Sequence, residues 1–119
     1  MDGIALYKEN AVTMASKSGL VVKLYEGAIK FLNLAIDAAQ GGKWDKKGEY
    51  IGRAMAIIEE LDRSLDMRVG GEIASNLHKL YLFMNKRLAN ACMSDDNAMI
   101  RDVISLLNEL NQGWKAIHG

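Results

Sequence analysis

The sequence predicts an all-α protein: a four-helix antiparallel bundle with a short N-terminal tail or cap. Three observations predict it. Proline is absent from the chain. Breaks fall at Gly41-Gly42, at Gly70-Gly71 and at Ser94-Asp95-Asp96-Asn97. Between the breaks, apolar residues recur at three- and four-residue spacing, the period of one helix face. Short links between helices of similar length favour antiparallel neighbours.

Residues 1–15 read as the tail and residues 16–119 as the bundle. The tail is polar and mixed, with Ile4, Leu6, Tyr7, Val12 and Met14 as apolar anchors. It is expected to act as a weakly docked lid that yields to a longer guest. The first helix is expected from about Ser18 to Gln40, with Ser16 or Ser18 as N-cap and Gly41 as left-handed C-cap. Its seam is Leu20, Leu24, Gly27, Phe31, Leu34 and Ala38. Val21, Tyr25, Ala28, Ile29, Leu32 and Ile36 lie beside that seam. The apolar arc spans roughly 200°, about twice a single core face. Lys23, Glu26, Lys30, Asn33 and Asp37 form the polar edge.

The second helix is expected from about Asp45 to Asp66. Its seam is Ile51, Ala54, Ile58, Leu61 and Leu65, widened by Met55 and Ile57. The third begins near Gly71-Glu72, with Ile73, Leu77, Leu80, Met84, Leu88 and Ala91 as seam. Ala74 and Tyr81 lie beside it, and Leu82 and Phe83 fall off it. The fourth starts at Ser94 to Asp96, with a seam of Ile100, Val103, Leu107, Leu110, Trp114 and Ile117.

At 119 residues the chain fits one domain with its own core. Lysine plus arginine and aspartate plus glutamate number 15 each, which gives no electrostatic reason to bind nucleic acid or an anionic membrane. The single cysteine, Cys92, forbids an intramolecular disulfide, suits a reducing compartment and reads as a small buried residue. The start Met1-Asp2-Gly3 shows no signal peptide, and no stretch approaches the roughly 18 apolar residues of a span. A cytoplasmic location is the expectation.

A catalytic or metal site in a bundle needs inward, convergent polar groups. Ser75 precedes His78 by three and Lys115 precedes His118 by three, so the Glu-x-x-His of a di-iron bundle is missing. Glycine-rich phosphate loops are missing too, and Glu59-Glu60 reads as a solvated face. No enzyme, cofactor or metal is expected. An alternative is a histidine phosphotransfer or adaptor bundle using His78. Such domains follow the histidine with Leu-Lys-Gly, whereas here the run is Lys79-Leu80-Tyr81.

The unusual feature is excess apolar surface: Met14, Leu82, Phe83 and the second face of helix one. Either the tail lies over it, or it forms a groove for a partner's helix or extended segment. Met55, Met84 and Met99 fit an adaptable surface as well as gap-filling core.

Specific residues resemble a known family. Tyr7 and Val12, then Ala15-Ser16 and Leu20, resemble the N-terminal pattern of FliS proteins. Leu24-Tyr25-Glu26-Gly27-Ala28-Ile29 with Phe31-Leu32 is similar to their first-helix segment. Leu65-Asp66 leading to Gly70-Gly71-Glu72-Ile73-Ala74, then Asn76-Leu77 and Leu80-Tyr81 with Met84, resembles their third-helix signature. Leu106 to Leu110 with Trp114-Lys115 and Ile117 resembles their C-terminal end. Lys17 stands where the family has proline, Met14 where it has threonine and Lys23 where methionine is common.

The resemblance implies a bundle that binds the disordered C-terminal segment of flagellin, prevents premature polymerisation and hands the complex to a flagellar export gate component. A co-chaperone is a further candidate partner. With the apolar pattern, it makes Tyr7, Val12, Leu20, Leu24, Tyr25, Ile29, Met55, Leu77, Leu80, Tyr81, Met84, Leu107 and Trp114 the expected partner-binding residues.

Overall fold

The computed structural model describes the backbone of residues 3–118 and the side chains of residues 19–117. Four helices follow one another: α1 (Gly3–Gln40), α2 (Trp44–Arg63), α3 (Met67–Ala91) and α4 (Ala98–His118). Among the described residues there is no strand. α1 packs against α2 and α4, and α3 packs against the same two, so α1 and α3 lie on a diagonal. Cross-links fix the antiparallel sense. Asn85 in α3 donates to the Met55 carbonyl in α2 at 3.2 Å, and His78 meets Asp62 at 2.7 Å. As the α3 number rises, the α2 number falls. The Arg87 guanidinium donates to Asp102 at 2.6 Å and ties α3 to α4.

α1 starts at Gly3, not near Ser18, so the serines expected as caps fall inside a helix. Lys17 in the family's proline position keeps its N–H and leaves the backbone uninterrupted. At 1.5 Å per residue a helix of this length is about 57 Å long, and the molecule's long axis is 60 Å. The side chains of residues 1–18, Tyr7 and Val12 among them, lie outside the described residues.

The first reversal is a Schellman motif. Lys43 N–H donates to Ala38 O at 2.8 Å and Gly42 N–H to Ala39 O at 3.1 Å. The left-handed residue is Gly42, with φ 71°, rather than the expected Gly41. At the second link Asp66 accepts from the Arg68 and Val69 amides at 3.1 Å and caps a first turn of α3. Gly71, at φ 53° and ψ −127°, then breaks the helix once before Glu72 resumes it. The expected start at Gly71-Glu72 is therefore the start of the long part of α3. Before α4, Asp96 accepts from the Ala98 amide at 2.9 Å.

The core runs down the middle of the bundle: Tyr25, Ala28, Leu32 and Ala35 of α1, Ile51, Ala54, Ile58 and Leu61 of α2, Tyr81, Met84 and Leu88 of α3, and Ile100, Val103 and Leu107 of α4. The central line of α1 thus lies one residue along from the expected seam. Leu24, Gly27, Phe31 and Leu34 sit half-buried on its flank. Two neighbours share the wide arc, which is why it is so wide. Cys92 is exposed, not buried, because α3 ends at Ala91 and the chain has already left the core. Lys47 is buried instead. Its ammonium donates to Ser94 O at 2.5 Å, just beyond the carbonyl end of α3, and stands 5.3 Å from the Trp44 ring.

Candidate functional site

The two ends of the bundle differ. At the end holding the first reversal, the seam residues Ala38, Ile51, Ala91 and Ile100 are buried. At the other, where α2 hands over to α3 and α4 finishes, seam residues lie half-buried or exposed. Leu65, Leu110 and Trp114 are half-buried there, and Ile73 and Ile117 are 72% and 66% exposed. Val69 is 80% exposed beside them. The result is an apolar cleft.

Its deeper part is a cavity of about 260 Å³ between Val21 of α1, Leu61 and Leu65 of the α2 end, Val69 to Tyr81 of α3 and Trp114 of α4. A second depression of about 230 Å³ continues past Ile73, Leu77 and Trp114 to Leu110, Gly113 and Ile117. Ser64 and Asp66 are the polar residues on the rim. Glycine shapes the α3 wall. A Cβ on Gly70 would come within 2.7 Å of the Ala74 methyl, so only glycine lets this turn fold so tightly onto the helix.

The expected partner-binding residues separate into groups. Leu77, Tyr81 and Trp114 line the cleft. Leu20 is exposed at the same end of α1. Leu24, Ile29, Met55 and Leu80 are half-buried on the core's flank. Tyr25, Met84 and Leu107 are fully buried within it. Ile73, expected as core, is the most exposed member of the α3 seam, and Val69, Leu65 and Ile117 join it. The readable signal was their place in the sequence: these seam residues continue up to a glycine pair or to the last turn of a helix, where α2 and α4 end.

Beneath the cleft, Tyr25 and Tyr81 hydroxyls meet at 2.7 Å across the diagonal, with rings edge to face at 6.5 Å. Trp114 stands 6.4 Å from Tyr25. Burial raises both phenols above the usual tyrosine range. For Tyr25, hydrogen bonding from Tyr81 and Trp114 partly offsets this; for Tyr81, proximity to Tyr25 adds to it.

A folded-state value above the unfolded one means stability present below the unfolded pKa of about 10 and lost as pH rises beyond it. Stability is therefore expected to fall above pH 10, by up to about 1.4 kcal/mol per pH unit for each tyrosine. Denaturant melts against pH check this. The Tyr25→Phe/Tyr81→Phe double variant should lose that part of the slope; an unchanged slope would contradict it.

A second exposed apolar pair, Leu82 and Phe83, faces away from the cleft, with the Arg87 guanidinium 5.7 Å from the Phe83 ring. Beside it lies a shallow depression against Asp102, Leu106 and Glu109. His78 is half-buried, and its Nδ1 is held by Asp62. Among the described residues no group of three acidic, histidine or cysteine side chains could hold a metal, and no helix is long and apolar enough to cross a membrane.

This geometry belongs to a chain whose residues 2–119 match the family model described as flagellar protein FliS. The chain belongs to the FliS family. A similar relative is the flagellar secretion chaperone FliS of Salmonella typhimurium, 38% identical over 110 residues, covering 92% of this chain and 82% of that one. Flagellar secretion chaperone FliSB of Pseudomonas aeruginosa is 37% identical over 109 residues, covering 92% and 86%. The Bacillus subtilis FliS chaperone is 29% identical over 109 residues, covering 92% and 80%. The FliS match takes in the N-terminal residues with Tyr7 and Val12 as well as all four helices.

Proposed function

We propose that this protein is a cytoplasmic flagellar export chaperone, a binding protein rather than an enzyme. It takes the C-terminal segment of flagellin into the apolar cleft, keeps the subunit from polymerising and passes it to a flagellar export gate component. A co-chaperone is a second candidate partner. The observation that carries the reading is the cleft itself, lined by core-type side chains of all four helices and open among the described residues. The relatives named as flagellar secretion chaperones support the same reading. A disordered segment that folds as it binds loses about 1–2 kcal/mol per ordered backbone residue. Each large apolar side chain it buries returns roughly 1.5–3 kcal/mol. Several anchors in a shared apolar cleft offset that ordering cost, and a polar surface would not. The phosphotransfer alternative draws no support from the comparisons, whose relatives are named as flagellar secretion chaperones.

Calorimetry with a flagellin C-terminal peptide tests the proposal. Binding near one to one, with a negative heat-capacity change, is the expected result. Affinity should change little with salt, because apolar burial is not screened as exposed charges are. Absence of binding at high micromolar peptide would sink it.

A further inference from the structure

The link between α2 and the long part of α3 holds more chain than the gap requires. The contacts of Asp62 with His78 and of Asn85 with the Met55 carbonyl set the register of the two helices and put Arg63 level with Leu77. Glu72, where the long part of α3 resumes, stands about 7.5 Å beyond that level at 1.5 Å per residue. With the helix axes roughly 8–10 Å apart, the gap from Arg63 to Glu72 is about 12 Å. Residues 64–71 could reach across about 30 Å. The surplus is wound into a single helical turn, and its hydrogen bonds are internal. Asp66 accepts from the Arg68 and Val69 amides, and the Gly70 N–H donates to Asp66 O at 2.7 Å. Gly71, at φ 53° and ψ −127°, separates the turn from the long helix in a backbone region that glycine alone enters without strain. Where Gly70 meets the Ala74 methyl, it brings no side chain of its own to lock the contact. Every residue from 66 to 73 is exposed, Met67, Val69 and Ile73 among them. A unit with few buried contacts, bonded mainly to itself, lies at the low end of local stability. Yet Asp66, Val69 and Gly70 form part of the wall of the deeper cavity.

We infer that residues 64–71 are a strap: the turn at 67–70 swings about Gly71 and closes over the segment held in the cleft, laying Val69 and Met67 on it. The inference rests on the proposed function. Slack in the link lets the turn move without pulling α2 from α3, and glycine at the hinge lets φ and ψ change at little cost. The open position leaves two apolar side chains in water, and a bound apolar segment gives them a surface on which to bury. Closure follows entry of the guest, so it acts mainly by slowing release.

Hydrogen exchange in the full chain tests the hinge. The Arg68, Val69 and Gly70 amides should exchange nearly as fast as in an unfolded chain, although each has an acceptor within the turn, and should slow at least about tenfold with saturating flagellin C-terminal peptide. Amides as protected in the free chain as in the complex would make the turn a fixed wall and overturn the strap. Two variants test the closing contact. Deleting residues 67–70 leaves Ser64, Leu65, Asp66 and Gly71 to span the gap, with a reach of about 17 Å, so the bundle should keep its fold. Val69→Ser changes one exposed side chain. Each should release the peptide about tenfold faster, with the association rate within about twofold of the unsubstituted chain. Unchanged release from Val69→Ser would overturn the strap and leave the chaperone reading standing. Failure of the unsubstituted chain to bind would remove both.

Discussion

Ile73→Asp is expected to weaken binding of a flagellin C-terminal segment by about a hundredfold, because burying an isoleucine is worth roughly 1.5–3 kcal/mol and each 1.4 kcal/mol is tenfold. Ile73 is common to both depressions and is 72% exposed before any partner arrives. An aspartate there loses the isoleucine's burial and must also be desolvated when the guest closes over it. The fold should hardly notice, since exposed substitutions usually stay within about 0.5 kcal/mol. Calorimetry reads the first effect and a denaturant melt the second. Unchanged affinity in a folded Ile73→Asp protein would show that the guest binds elsewhere.

Leu107→Ala should do the reverse. Leu107 is fully buried at the centre of α4, between α1 and α3. Truncating such a leucine costs about 2–5 kcal/mol through lost burial and the cavity left behind. Small domains hold about 5–15 kcal/mol, so the variant should still fold but with its denaturant midpoint well below that of the unsubstituted chain. Affinity measured on the folded protein should remain within about threefold, because the side chain does not reach the cleft. A variant as stable as the unsubstituted chain but poor in binding would place Leu107 on the binding surface and contradict the packing.

These opposite expectations mark what periodicity could and could not tell apart. Three-four spacing located four helices, and for α2 it also named the buried line: Ile51, Ala54, Ile58 and Leu61 are all in the core. For α1 the apolar arc was wide enough to hold two parallel seams. Choosing Tyr25–Ala28–Leu32–Ala35 requires knowing that α2 and α4 both pack on it. Ile73 and Leu77 have the same spacing in the sequence, yet one is exposed and the other buried. What separates them is the kink at Gly71 and the end of α2 at Arg63, both tertiary facts. Lys47 reads as a surface lysine. Its burial depends on Ser94 O, 47 residues away in sequence, which no local pattern reports.

The cleft's role is tested most directly by the chain's own two tryptophans, which sit at opposite ends of the bundle. Trp44 is exposed beside the first reversal, and Trp114 lines the cleft. Trp44→Phe leaves Trp114 as sole reporter, and Trp114→Phe leaves Trp44. Each protein is titrated with a flagellin C-terminal peptide while emission is recorded. Guest binding in the cleft should remove water from the Trp114 indole and shift its emission to the blue, saturating near one to one, while Trp44 emission stays constant. A saturating shift at Trp44 with none at Trp114 would contradict the assignment of the cleft as the binding site.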